Sequence, residues 1–173
     1  AMLQAQSVIM EKGAVIDASA IKDGNGGKIV LWSDVLNPGS FTTVKGELYA
    51  KGGDLGGNGG IIETSGHILA INEAKVSTIA SFGNTGNWLL DPGNINITNS
   101  APDPGDDPTL PSFPVGSDTD IHPTSIVSAL DSTGINIQTG SGNYDITICA
   151  IFQSNRRNTI ITVLNMYACG KST

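Results

Sequence analysis

The chain has 173 residues, a length suited to one domain. It is 39% hydrophobic, enough for a core, but its 22 glycines and 5% aromatic content argue against a helical fold. The formal charge is −7; residues 1–145 hold all sixteen Asp and Glu against six Lys, a balance of −10, and such an acidic body speaks against nucleic acid as a partner, because phosphate binding draws on clustered Lys and Arg.

The opening stretch, AMLQAQSVIM, has no basic n-region and no long apolar run, so it does not read as a secretory signal peptide. No segment approaches the length of a membrane-spanning helix, and membrane insertion is not expected. These features leave two expectations, a cytosolic protein or an excised piece of something larger.

From Val15 the chain repeats itself. VIDASAIKDGNGGKIVLWS (15–33), ELYAKGGDLGGNGGIIETS (47–65) and VSTIASFGNTGNWLLDP (76–92) align on an apolar leader, Ile16, Leu48 or Val76. Small residues follow at alternate positions, which places them on one face of a strand. A glycine corner comes next, over 24–27, 56–60 and 83–86, and a second strand carries Ile29, Ile62 and Leu89 at equivalent places. Less regular strands close the units at Phe41–Val44, Ile68–Ile71 and Ile95–Thr98. Short strands with a period in the twenties to thirties describe a solenoid in which Ile16, Leu48 and Val76 form one row and Ile29, Ile62 and Leu89 another. Gly26, Gly27, Gly59, Gly60 and Gly86 are the expected structural turn residues, with positive φ as the reason for glycine. A flexible linker is the bland alternative for GGNGG, but a linker has no cause to precede an apolar strand at fixed spacing three times.

Residues 99–123 hold six of the eight prolines and five aspartates. Proline fixes φ and removes a donor, so a loop insertion without a central strand is expected. Asp103, Asp106, Asp107, Asp118 and Asp120 are weak calcium candidates; their spacing matches neither an EF-hand nor the nonapeptide repeat, and a solvated loop or a recognition loop is the alternative. A further coil is expected over 124–148, where SIVSAL (125–130) is the nearest approach to a helix. Residues 149–173 read as a diverged or capping tail with one strand at Thr159–Leu164 and a small basic excess from Arg156, Arg157 and Lys171. Cys149 and Cys169 can pair in an oxidising compartment, and two cysteines without a second pair do not suggest zinc.

GGKIVLWSD (26–34), GGNGGIIETSG (56–66) and KVSTIASFGNTGNWLLDPGNINIT (75–98) resemble the filamentous-haemagglutinin-like exoproteins of Gram-negative bacteria, and SIVSALDSTGINIQTGSGNYDITI (125–148) is similar to the segment that follows in that family. The resemblance covers most of residues 14–148. It implies an all-β protein, a right-handed parallel β-helix with coils over 1–98 and the Pro/Asp-rich loop inserted in it. It implies secretion by the two-partner route, display at the cell surface or shedding from it, an outer-membrane transporter as partner of the full-length protein, and an adhesive role toward a host-cell surface or glycan. The family's secretion domain carries Asn-Pro-Asn signatures; Asn37-Pro38-Gly39 does not match them, which places this piece downstream of that domain.

No catalytic residue, cofactor or metal is assigned. His67 and His122 lack companions at metal-ligand spacing and are expected on the surface. Trp32 and Trp88 are expected to pack, with sugar stacking reopened if Trp88 is exposed. Ser65 is not in a nucleophile elbow, and no base accompanies it. The leading function is structural and adhesive, without catalysis. The rivals are a β-helix polysaccharide lyase or hydrolase, for which Asp17, Glu63 and Asp91 are the outward carboxylates, and a non-secreted remnant of an exoprotein.

Overall fold

The structure is a computed structural model and describes residues 1–101, 118–139 and 143–149, together with strand residues 161–163 and 166–168. Three rounds of strands open the chain: β1 (Met2–Ala5), β2 (Ser7–Met10) and β3 (Val15–Asp17), then β4 (Lys28–Ser33), β5 (Phe41–Val44) and β6 (Glu47–Tyr49), then β7 (Ile61–Gly66), β8 (Ile68–Ala70) and β9 (Lys75–Ser77). There follow β10 (Asn87–Pro92), β11 (Ile95–Thr98), β12 (Thr119–Ile121), helix α1 (Pro123–Leu130), β13 (Gly134–Ile137), β14 (Ile146–Cys149), β15 (Ile161–Val163) and β16 (Met166–Ala168). The chain is predominantly β.

Among the described residues every strand pair is parallel, and the pairs make four sheets ordered β1-β4-β7-β10-β13-β15, β12-β11-β14-β16, β2-β5-β8 and β3-β6-β9. Neighbours within a sheet come from successive rounds, so each strand lies beside its counterpart one period away. Ile16 pairs with Leu48 and Leu48 with Val76, as the repeat predicts. Leu48 is fully buried, and Ile16, on the edge strand, is half-buried.

The second row differs by one residue from the expectation. Ile29 pairs with Ile62, but Ile62 pairs with Trp88, while Leu89 faces Glu63 on the outer side. Trp88 is 2% exposed and its indole Nε1 donates to Thr64 Oγ1 at 3.1 Å. A slip of one residue exchanges the faces of a strand. The apolar run Trp88-Leu89-Leu90 has no alternation, so periodicity cannot set its register.

The corners also correct the sequence reading. Positive φ occurs at Gly24 and Gly57, and at Gly13 outside the corners, not at Gly26, Gly27, Gly59, Gly60 or Gly86. Gly26, Gly59, Gly60 and Gly86 need glycine for space, and Gly27 is close to its neighbour. A methyl group on Gly60 would overlap the Gly27 carbonyl oxygen, one on Gly86 the Gly60 carbonyl oxygen, and one on Gly59 the Thr78 carbonyl oxygen. Gly26 is blocked in the same way by Ala50, and Gly27 sits closely on Ala18. Each corner is pinned by one equivalent bond: Gly27 N–H to Ala18 O (2.8 Å), Gly60 N–H to Ala50 O (2.7 Å) and Gly86 N–H to Thr78 O (2.9 Å). Asparagines align there as well, with Asn58 N–H donating to Asn25 Oδ1 and Asn84 N–H to Asn58 Oδ1, both at 2.8 Å.

Two elements lie where none was expected. Thr119–Ile121 forms β12 inside the proline-rich segment, pairs with β11, and offers Thr119 Oγ1 to the Leu69 N–H of β8 at 2.9 Å. The nearest flanking prolines, Pro114 and Pro123, leave this tripeptide free, and Thr119 and Ile121 are buried. β11 therefore does not continue the row of β5 and β8; β12 and β14 flank it.

The segment 124–148 opens on a helix rather than a strand. His122 caps α1 by accepting from Thr124 N–H, Pro123 occupies the first turn, and Ile126 and Ala129 are buried. An eight-residue helix is marginal alone. Asn72 Oδ1 holds it by accepting from His122 N–H (3.1 Å) and Ser125 Oγ (3.1 Å), and Ser132 Oγ donates to Val76 O at 2.7 Å. Thr78 N–H donates to Ser132 O, so the end of the helix occupies the place of the next strand and covers the edge of β9. In the tail, β15 falls inside the expected strand and β16 is additional. Cys149 is disulfide-bonded, and Cys169 lies outside the described residues. No helix among the described residues is long and apolar enough to cross a membrane.

Replacing Gly60 with Ala is expected to destabilise the chain by about 1–3 kcal/mol, the usual cost of overpacking. Gly39→Ala, whose added methyl would meet nothing closer than Asn37 Oδ1 at 3.5 Å, is expected to stay within about 0.5 kcal/mol. Chemical denaturation of the two variants checks both.

Candidate functional site

Parallel pairing sorts side chains into inward and outward rows. On the long sheet, Ile29, Leu31, Ile62, Thr64, Trp88 and Leu90 face inward, and Val30, Trp32, Glu63, Ser65, Leu89 and Asp91 face outward. The structure brings together two of the three carboxylates singled out in the sequence. Asp91 is opposite Ser65, and Ser65 Oγ donates to Glu63 Oε1 at 3.2 Å. Glu63 also pairs with Lys28 Nζ at 3.3 Å. Asp17 lies on another sheet, where bonds from Ser19 hold its carboxyl below the ordinary value.

Asp91 is the perturbed group of this row. Burial pushes its carboxyl above the ordinary value, the hydrogen bond from Gln138 opposes this, and the charge of Glu63 adds to it. Gln138 Nε2 donates to Oδ2 at 3.3 Å, whereas Oδ1 is buried without a partner. A carboxyl held toward its protonated form beside a second carboxyl is the raw material of general acid catalysis. Glu63, however, is tied to Ser65 and Lys28, and Ser65 is itself fully buried.

Asp118 and Asp120 stand with Asn94 and Asn96 on the outer face of β11 and β12. Asn94 Nδ2 donates to Asp118 Oδ1 (2.9 Å), and Asn96 Nδ2 donates to Asp118 Oδ2 (3.3 Å) and Asp120 Oδ1 (3.1 Å). Three of the four carboxylate oxygens thus accept from amides that tie neighbouring strands. Among the described residues no group of three or more His, Cys, Asp and Glu is placed to hold a metal ion. Asp103, Asp106 and Asp107 lie outside them.

Both histidines depart from the expected surface position. His67 is buried at 8% exposure; its Nδ1 is 2.9 Å from Val35 O, which can only accept, so Nδ1 carries the proton. Its ring meets Tyr144 edge-on at 5.7 Å. His122 is the half-buried cap of α1. Neither position was legible, since both depend on contacts distant in sequence.

No protein-family model matches the chain, and no curated protein matches it. Its chemistry therefore has to be read from its own surface, where two clefts lie among the described residues.

The first, about 450 Å³, lies between the turns at 11–14, 45–47 and 72–75 and helix α1. Lys12, Lys45 and Lys75 line it with Glu47 and Glu73. Lys45 and Lys12 reach Glu73 at 3.6 and 4.0 Å, and Lys75 reaches Glu47 at 2.9 Å. Tyr49 also donates to Glu47; this bond and then Lys75 hold the Glu47 carboxyl low. The charges are largely spent on one another. The second cleft, about 530 Å³, is lined by Ala5, Gln6, Trp32, Asp34 and Asn37, where the β1–β2 junction meets the loop after β4. Trp32 is half-buried at its edge, in contrast to buried Trp88.

The raised Asp91 carboxyl makes a signed prediction. Its ionised form is penalised in the native state, so the penalty is present above its raised folded pKa and is relieved as pH falls through it. Asp91→Asn is expected to stabilise the chain at neutral pH, with a gain that shrinks on acidification; thermal melts across about pH 4–8 measure it.

Proposed function

We propose that the chain is a segment of right-handed parallel β-helix that serves as a rigid adhesive scaffold of a bacterial exoprotein of the filamentous-haemagglutinin type, secreted or displayed at the cell surface, and that it binds without catalysis. The observation that carries this is the register of equivalent positions: Ile16, Leu48 and Val76 in one sheet, Ile29, Ile62 and Trp88 in another, with every pair parallel. From β1 to β9 the chain returns to the same three sheets once per period, as a coil would, and parallel crossovers are right-handed in about 98% of cases. A winding of this kind presents outward rows of side chains on a stiff support, which suits recognition by loops and faces. The outer-membrane transporter and the host-cell surface or glycan receptor are its partners on this proposal.

Asp91 supports a second reading, a polysaccharide hydrolase, because its carboxyl is held above the ordinary value with Glu63 near enough to contribute to the rise. Against it, neither cleft described above is lined by the pair.

The two readings are separated by incubating the purified chain with host and bacterial cells and with polysaccharides. Saturable attachment to cells with no release of reducing ends or unsaturated sugars is the expected result. Polysaccharide turnover that disappears in Asp91→Asn would establish the hydrolase instead.

A further inference from the structure

The loop between β4 and β5 contains Asn37-Pro38-Gly39, and it is unusually well fixed for an exposed connection. Asp34 Oδ1 accepts from Leu36 N–H and Asn37 Oδ1 from Gly39 N–H, both at 3.0 Å. Asn37 N–H donates to Asp34 O at 3.1 Å and Ser40 N–H to Asn37 O at 2.9 Å, while Ser40 Oγ also donates to Asp34 O. Val35 is buried, and its carbonyl accepts from His67 Nδ1 at 2.9 Å and Tyr144 Oη at 3.4 Å. Two aromatic side chains from distant parts of the chain thus clamp the middle of this loop.

The clamp leaves specific groups unused. Among the described residues no hydrogen bond engages Asp34 Oδ2, Asn37 Nδ2, the Gln6 amide or Trp32 Nε1. All four residues line the 530 Å³ cleft, whose volume lies in the range of small-ligand sites, about 300–1,000 Å³. We propose that this cleft binds a neutral saccharide, with one pyranose ring stacked on the half-buried indole of Trp32 and its hydroxyls bonded by Asp34 and Asn37.

The chemistry of the lining selects this ligand class. A pyranose carries an apolar face of C–H groups and a rim of hydroxyls that both donate and accept. An indole supplies a large flat surface at low entropic cost. The free carboxylate oxygen accepts from a hydroxyl; the Asn37 and Gln6 amides donate or accept. Among the described residues no Lys or Arg lines the cleft, and Asp34 brings a negative charge, so uronates and sulfated sugars are disfavoured. The lysine-lined cleft near α1 offers the opposite charge, but its ammonium groups already hold carboxylates. Because the loop is fixed before the ligand arrives, binding orders little chain.

This inference rests on the proposed adhesive role and names its receptor chemistry, so the test has two arms. In the first, methyl β-galactoside, methyl β-glucoside and the N-acetylglucosamine trisaccharide are titrated to about 50 mM, a range set by the millimolar affinity of one stacked ring, while amide and indole NMR signals are followed. The expected result is saturable shifts at the Trp32 indole and the Leu36 and Gly39 amides with at least one probe, with the buried Trp88 indole unmoved. Asp34→Ala and Asn37→Ala should weaken binding about 3- to 10-fold each, Trp32→Ala should remove the shifts at Leu36 and Gly39, and Trp32→Phe should retain a part of them. An unchanged Trp88 signal certifies that each variant is folded. The site is overturned if none of the three probes shifts these signals, if Trp32→Ala binds as the parent does, or if glucuronate or a sulfated disaccharide binds more tightly than the neutral sugars. In the second arm, cell attachment of the Trp32→Ala chain is compared with that of the parent. Full attachment by Trp32→Ala with a silent titration removes the site and keeps the adhesive role; saccharide binding by a parent chain that attaches to no cell removes the adhesive role and keeps the site.

Discussion

The backbone contact at the glycine corners governs the rest of the molecule. Gly27, Gly60 and Gly86 lie one above another so closely that the carbonyl of each occupies the space a side chain on the next would fill. The same glycines donate across their own corners to Ala18, Ala50 and Thr78. These bonds hold the two arms of a round together, while pairing between rounds continues through Ala18 N–H to Tyr49 O and Ala50 N–H to Ser77 O. Any side chain at Gly60 would push two rounds apart and break both sets at once. The apolar rows bury one another at the spacing that this close contact of the corners permits.

The repeat was legible because it has a large signal: an apolar leader, alternating small residues and a glycine-rich corner at nearly constant spacing. It placed Ile16, Leu48 and Val76 correctly, and located the strands at Phe41–Val44 and Ile95–Thr98. What it could not show follows from physics that periodicity does not carry. Trp88-Leu89-Leu90 offers three apolar residues in succession, and only the pairing of Trp88 with Ile62 and of Leu89 with Glu63 reveals which of them turns inward. Glycine was correctly expected at the corners for a partly wrong reason, since composition does not distinguish a positive φ from a lack of room. The asparagine row at Asn25, Asn58 and Asn84 had a signal, one Asn inside each corner, and its meaning is a side-chain ladder that parallels the backbone one.

The candidate site was less legible. His67 looked like an isolated surface residue because Val35 is 32 positions away in sequence and Tyr144 far beyond it. Trp32 and Trp88 occupy similar places relative to their corners, yet one is half-exposed and the other enclosed. The difference is parity: Trp32 lies four residues after Lys28, on the outward row, and Trp88 lies one residue after Asn87, on the inward row. A strand turns this small offset into opposite chemical fates, one tryptophan available to solvent and one donating to Thr64 in the core.

The interruptions in the repeat have a common logic. Where the rounds are regular, the outer face is built of strand side chains with their polar groups paired to neighbours, as in Glu63 with Ser65 and Lys28. Where the chain departs from regularity, it either covers an edge or frees polar groups. Helix α1 does the first, ending the sheet of β3, β6 and β9 by placing Ser132 O where a strand carbonyl would accept from Thr78. The loop over residues 34–40 does the second, spending its backbone on its own Asx turns and on His67 and Tyr144, and leaving Asp34 and Asn37, which line a cleft, each with a side-chain atom that bonds no other described residue. A rigid repeat makes such a loop informative. Its flanking strands are held by parallel pairing to their neighbours, so loop side-chain groups that bond no protein atom are hydrated at the surface and can exchange that water for a ligand.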